Sequence, residues 1–233
     1  LSSVAYAPDE IILTLSIAGV GAALLSPWVG VAVVVVLLVV VASYRQNVHA
    51  YPSGGGDYEV TTTNLGPRAG LGVASALLVD YALTVAVSIS SGAQYAASAI
   101  PALRGHEVAL ALGLVGLLML VNLRGVRESG RFFAIPTYVF MAAVGSLVVT
   151  GAVRSLLGGL PEAESAALDV AARPGFSEGL VGLGGALLVL RAFASGSAAL
   201  TGVEAISNGV PSFRKPKSRN AATTLALLGA VSA

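Results

Sequence analysis

Leu200-Thr201-Gly202-Val203-Glu204-Ala205-Ile206-Ser207-Asn208-Gly209-Val210-Pro211 is the stretch on which the reading of this chain turns. It sits in a run apolar enough to cross a lipid bilayer, yet a glutamate stands in its middle. An ionisable side chain at bilayer depth costs on the order of 3 kcal/mol by insertion scales, and so by default marks an ion or substrate path. Gly202, Gly209 and Pro211 explain how the cost is tolerated, because unwound backbone offers oxygen ligands where it lines a wet cavity. The pattern predicts a discontinuous membrane helix, broken around Gly202, Asn208 and Gly209.

Working outward, the composition agrees. Of 233 residues, 55% are hydrophobic and 11% charged, and the mean hydropathy is +0.84. Such values exclude a soluble globular domain and indicate an all-α polytopic membrane protein. The absence of cysteine removes disulfide scaffolds, thiol catalysis and zinc–thiolate sites, and the two histidines, His49 and His106, have no metal-ligand spacing. No nucleophile–base pair or cofactor motif accompanies the apolar runs, so neither an enzyme nor a cofactor is expected, and nothing points to nucleic acid. The formal charge of +1 matters less than where the charges fall. The chain starts at Leu1 and stops inside an apolar run, Leu225 to Ala233, so the expectation is an internal fragment. No signal peptide is recognisable, and insertion would rely on the spanning helices.

A spanning helix needs ~20 apolar residues. The stretches that meet or approach this are Tyr6 to Leu25, Pro27 to Tyr44, Gly70 to Ile100, Val108 to Leu123, Phe132 to Val153 and Gly179 to Gly209, with a further run from Asn220. The valine-rich run Val29 to Ala42 would suit a buried strand in a soluble protein, but length and context make it a lipid-facing helix. Basic residues should then collect on alternate loops. Arg45, Arg68, Arg124, Arg127, Arg131, Arg214, Lys215, Lys217 and Arg219 fall on one side; the other holds only Arg104, Arg154 and Arg173, with the acids Glu107, Glu162, Glu164, Asp169 and Glu178. The first side is expected to be cytoplasmic, and the start of the chain with it. Pro161 to Ser177 reads as a plain connector or a connector with a short surface helix. Pro52-Ser53-Gly54-Gly55-Gly56 reads as a cytoplasmic turn, because the lysine and Ser/Thr of a phosphate-binding loop are missing.

Polar residues inside the spans are the candidates for chemistry. Tyr81, Thr84, Ser88, Ser91 and Tyr95 recur every three or four residues and share one helical face. Oxygen-only groups of this kind suit a hard monovalent cation or a small polar solute rather than a soft metal. Ser90 and Ser91 read better as packing glue between helices. Asp80, one residue off the stripe, reads as a structural partner of a tyrosine hydroxyl or of Arg191. Arg191, the one basic residue inside a predicted span, either snorkels to the outer interface or pairs with an acid. The opening Leu1-Ser2-Ser3-Val4-Ala5-Tyr6-Ala7-Pro8-Asp9-Glu10 joins hydroxyls, a proline and two acids to the first span. It reads as a second break, with Ser2, Ser3 and Pro8 as its breakers, or as the cap of a surface helix. As a break it stands five helices from the first, in a corresponding position, which is how inverted-repeat transporters build a midplane site.

With these residues in view, the chain resembles the amino acid–polyamine–organocation (APC) permease superfamily, most closely its KimA-type potassium–proton symporters. The resemblance rests on Ser2-Ser3-Val4-Ala5-Tyr6, on Ser43-Tyr44-Arg45-Gln46 with Tyr51-Pro52-Ser53-Gly54-Gly55-Gly56, on Asn122-Leu123-Arg124-Gly125-Val126-Arg127-Glu128-Ser129-Gly130, and on Thr201-Gly202-Val203-Glu204-Ala205-Ile206-Ser207-Asn208-Gly209. It implies a LeuT-like fold of two inverted five-helix repeats. Residues 1–233 would then be a single transmembrane domain, with the first repeat at 1–153, an extracellular connector at 154–178 and the start of the second repeat at 179–233. It also implies potassium ligands at Tyr6, Tyr81, Thr84, Ser88 and Thr201. A family aspartate would fall ahead of Leu1, and a further tyrosine lies past the end.

The function expected is proton-coupled potassium uptake across the plasma membrane by alternating access. The partners expected are potassium, the proton and the lipid bilayer, and the resemblance leaves room for a homodimer. Glu204 would carry the coupled proton, or else act as a structural carboxylate bonded to unwound amides. The runner-up is proton-coupled amino acid uptake on the same fold; a third reading is a non-transporting membrane scaffold or sensor.

Overall fold

The structure, a computed structural model, describes residues 2–54, 56–123, 126–160, 170–176 and 179–233. Its helices are α1 (Ser2–Leu15), α2 (Val20–Ala23), α3 (Ser26–Ala50), α4 (Asp57–Leu65), α5 (Pro67–Ala99), α6 (Glu107–Leu123), α7 (Val126–Leu156), α8 (Gly182–Gly196), α9 (Val203–Asn208) and α10 (Lys217–Ser232). No strand occurs among the described residues. Val20–Ala50, Pro67–Ala99, Phe133–Leu156 and Gly182–Asn208 are long and apolar enough to cross a membrane, and Glu107–Leu123 is a shorter apolar helix. The chain is thus an all-α polytopic membrane protein.

The first of two compact units comprises Leu1–Ser88 and Val170–Ala233, and α3 is its spine. Valine is a mediocre helix former because its branched β-carbon restricts rotamers. In lipid, however, backbone groups must bond within the segment, so the helix prevails over the strand. The buried residues Val29, Val33, Leu37, Val41 and Val48 form one stripe along α3. Its first part packs on Ile11 and Leu15 of α1 and Ala192 of α8. Its second part packs on Val203, Val210, Ala221 and Leu225. Lipid is as apolar as these side chains, so close van der Waals fit holds such helices together. Two glycines allow that fit. A β-carbon on Gly196 would lie 2.6 Å from Ile11 Cδ1 and 3.2 Å from Val33 Cγ2, and one on Gly229 would lie 3.2 Å from both methyls of Val41.

Two expectations need correction here. Pro8 does not break a helix: it lies inside α1, which Ser2 and Ser3 open. A proline removes its own N–H from the ladder but leaves the bonds on either side, and packing through Ile11 and Leu15 holds the rest of the rod. Nor does the first span run from Tyr6 to Leu25. It stops at Leu15, tightens into a 3-10 turn over Ser16–Ala18, and turns at Gly19, whose φ of +91° disfavours any residue with a β-carbon. Residues 170–176 fold back on this turn as coil, with Arg173 N donating to Ile17 O at 3.0 Å. The surface helix considered for Pro161 to Ser177 is absent from that part, and 161–169 and 177–178 lie outside the described residues. Helix α4 was not anticipated; Asp57 and Glu59 in its first turn favour it through the helix dipole.

The second unit, Ile89–Asp169, comprises the end of α5 with α6 and α7, which pack on each other. Leu112, Leu120, Ile135 and Leu147 are exposed on it, an apolar surface of the kind that meets lipid or further helices.

Candidate functional site

The site is built in the first unit where the run quoted at the outset comes apart. Helix α8 ends at Gly196, a 3-10 turn covers Ser197–Leu200, and Thr201 and Gly202 link it to α9. Gly202 adopts φ +106° and ψ −20°, a left-handed conformation that ordinary residues reach only at a cost. At the far end, Asn208 is the last residue of α9 and Gly209 its cap, followed by another 3-10 turn at Val210–Ser212. The chain therefore leaves the helical path on both sides of Glu204.

Two adjoining clefts open around this break. The larger, about 520 Å³, is lined by Tyr6 and Glu10 of α1, by Asp80 and Thr84 of α5, and by Ser197 and Thr201. The smaller, about 220 Å³, is lined by Tyr44, Asp80, Tyr81, Ser197, Thr201 and Glu204, among others. Neither lining includes a lysine, arginine or histidine. Tyr6 is 4% exposed, held by the packing of α1.

Tyr6, Thr84 and Thr201 thus share one cleft, and Tyr81 and Glu204 join Thr201 in the other. Ser88, one turn beyond Thr84, lines neither. Asp80, expected to be a structural partner, lines both. Glu10 belongs to the larger cleft as well, and its spacing of four from Tyr6 was the signal in the sequence. Arg191 is exposed and makes no ion pair with a described residue.

The polar groups around Glu204 form a network. Asn208 Nδ2 donates to Glu204 Oε1 at 3.2 Å and to the Tyr81 hydroxyl at 3.1 Å. The Asp57 backbone N–H faces the Glu204 carboxylate. Tyr44 donates its hydroxyl hydrogen to Asp57 Oδ1 at 2.5 Å. No group of three or more His, Cys, Asp or Glu close enough to hold a metal ion occurs among the described residues, so the acids are spread along the clefts.

An apolar all-helical chain with an oxygen-lined break in one span matches a family profile described as amino acid permease over residues 1–233. The chain belongs to the amino acid permease family. A curated relative, potassium transporter KimA of Bacillus subtilis, is 43% identical over 229 residues, covering 98% of this chain and 36% of the relative. The chain thus spans about a third of that relative's length. Membership of this family is consistent with the LeuT-like fold.

Proposed function

We propose that this chain forms part of a secondary active transporter that takes up potassium together with protons by alternating access. The observation that carries the reading is the polar part of the cleft linings: hydroxyls and carboxylates set among apolar side chains, with no basic side chain. A dehydrated monovalent cation needs oxygen atoms in place of its hydration shell. Tyr6, Tyr81, Thr84 and Thr201 would supply them, Ser88 after a rearrangement of α5, and unwound carbonyls near Gly202 the remainder. The name of the Bacillus relative supports the same cargo. Glu204 would take up and release the coupled proton. The protein would lie in the plasma membrane with the start of this chain inside, and the repeats would divide as 1–153 and 179–233.

Amino acid uptake is the second reading, favoured by the description of the family. A zwitterion brings a carboxylate, for which neither cleft provides a cationic side chain. Rubidium uptake by the full-length protein, in cells lacking their own potassium uptake, decides between the two when set beside a panel of labelled amino acids. Rubidium should accumulate and be competed by potassium; accumulation of an amino acid without rubidium would overturn the potassium reading. Glu204→Gln should abolish the part of the uptake driven by a pH gradient. Unchanged dependence on the gradient would remove the proton role from this residue.

A further inference from the structure

The connection between α3 and α4 plays no part in the transport reading above, yet it is tied to three of the elements that build the smaller cleft. Gly54 and Gly56 are buried against the end of α9. A β-carbon on Gly56 would lie 1.7 Å from Asn208 Oδ1 and 2.5 Å from its Cγ, and one on Gly54 would lie 3.8 Å from the Asn208 carbonyl oxygen. The amide of Asn208 cannot swing aside freely, because its nitrogen is engaged by both Tyr81 of α5 and Glu204 of α9. Directly after the glycines, Asp57 accepts the Tyr44 hydroxyl of α3 and presents its backbone N–H to Glu204. Tyr44, Tyr81 and Glu204 are themselves walls of the cleft that contains Thr201.

The geometry points to a stopper: Gly54 and Gly56 seat on Asn208 and close the cleft at the α3–α4 end, and Tyr44, Asp57 and Asn208 are positioning residues that keep them seated. A glycine is required at position 56 because a side chain there occupies the place of the Asn208 amide. Unseating the glycines needs two tethers to release together, the Tyr44–Asp57 bond and the bonds around Glu204 and Asn208. Such paired release gives two discrete arrangements rather than a continuum. Naming this end cytoplasmic rests on the transport reading and its orientation.

The test uses the full-length protein without other cysteines, with Ser197→Cys as a reporter in the shared wall of the two clefts. A membrane-impermeant thiol reagent is applied from the cytoplasmic face. Gly56→Ala should raise the labelling rate by about tenfold by shifting the population to the unseated arrangement. Adding Asn208→Ala removes the obstructing amide and should bring the rate back toward its starting value. Tyr44→Phe, which alters no shape, should raise labelling by about threefold with an unchanged Tm. Labelling that ignores both Gly56→Ala and Tyr44→Phe, in protein whose reporter reacts once denatured, overturns the stopper; so does a double variant as reactive as Gly56→Ala alone. Failure of the potassium reading looks different. It would leave labelling responsive while rubidium uptake by the unsubstituted protein is missing, whereas a failed stopper leaves that uptake present and labelling flat.

Discussion

Helix α1 and the α8–α9 element both carry residues that argue against a continuous helix, yet only the second comes apart. In α1, Pro8 withdraws a single N–H and the rod continues to Leu15. In α8–α9, Gly202 inverts the local backbone at φ +106° and the chain cannot resume its former path. A proline edits one rung of a ladder; a left-handed glycine changes its direction. Helix packing then separates the cases further, since Ile11 and Leu15 anchor α1 while Thr201 and Gly202 line a cleft.

Four substitutions break or sharpen this contrast. The largest effect is expected at Gly196, where α8 touches α1 just before the break. Gly196→Ala forces a methyl onto Ile11 and Val33, and overpacking of this kind costs about 1–3 kcal/mol. Thermal unfolding of the purified full-length protein should show the loss; an unchanged Tm would mean that the contact yields without strain. Gly202→Ala comes next, at about 1–2 kcal/mol for a left-handed residue with a β-carbon, and uptake should fall with stability. If uptake and Tm both survive, the break does not depend on the glycine.

Pro8→Ala should act in the opposite direction and raise stability by about 1 kcal/mol, since a restored ladder bond is offset by a looser unfolded chain. Uptake should persist, and a sharp drop would show that the gap in the ladder of α1 serves transport after all. Ser207→Ala is the mildest. Ser207 is fully buried in α9 and its hydroxyl has no hydrogen-bond partner among the described residues. Removing it should stabilise by up to about 1 kcal/mol, and a loss would reveal a role for that oxygen.

The sequence carried the spans well where hydropathy alone sets them. Gly70 to Ile100 and Val108 to Leu123 were expected, and α5 and α6 run Pro67–Ala99 and Glu107–Leu123. The interruption around Glu204 was legible for a similar reason, because glycine, asparagine and proline next to a carboxylate are local signals. What stayed hidden depends on contacts distant in sequence. Asp80 sits one residue off the hydroxyl stripe, and only the fold around Thr201 turns it toward both clefts. The glycine run after α3 read as a turn because nothing in its own residues names Asn208, more than 150 positions on, as its neighbour. Pro8 misled in the other direction: its chemistry is local, but the packing that overrules it is not.

The glycines at 196 and 229 have a mechanical consequence. Val33 and Val41, eight residues apart on α3, each fit a notch in a different neighbour, so the rod is keyed like a shaft at two heights. Sliding α3 along either partner by even one residue, about 1.5 Å, would drive a methyl group into backbone. Shear along these seams is therefore resisted, and internal motion in this unit is left to rotation at the 3-10 joints that flank α9.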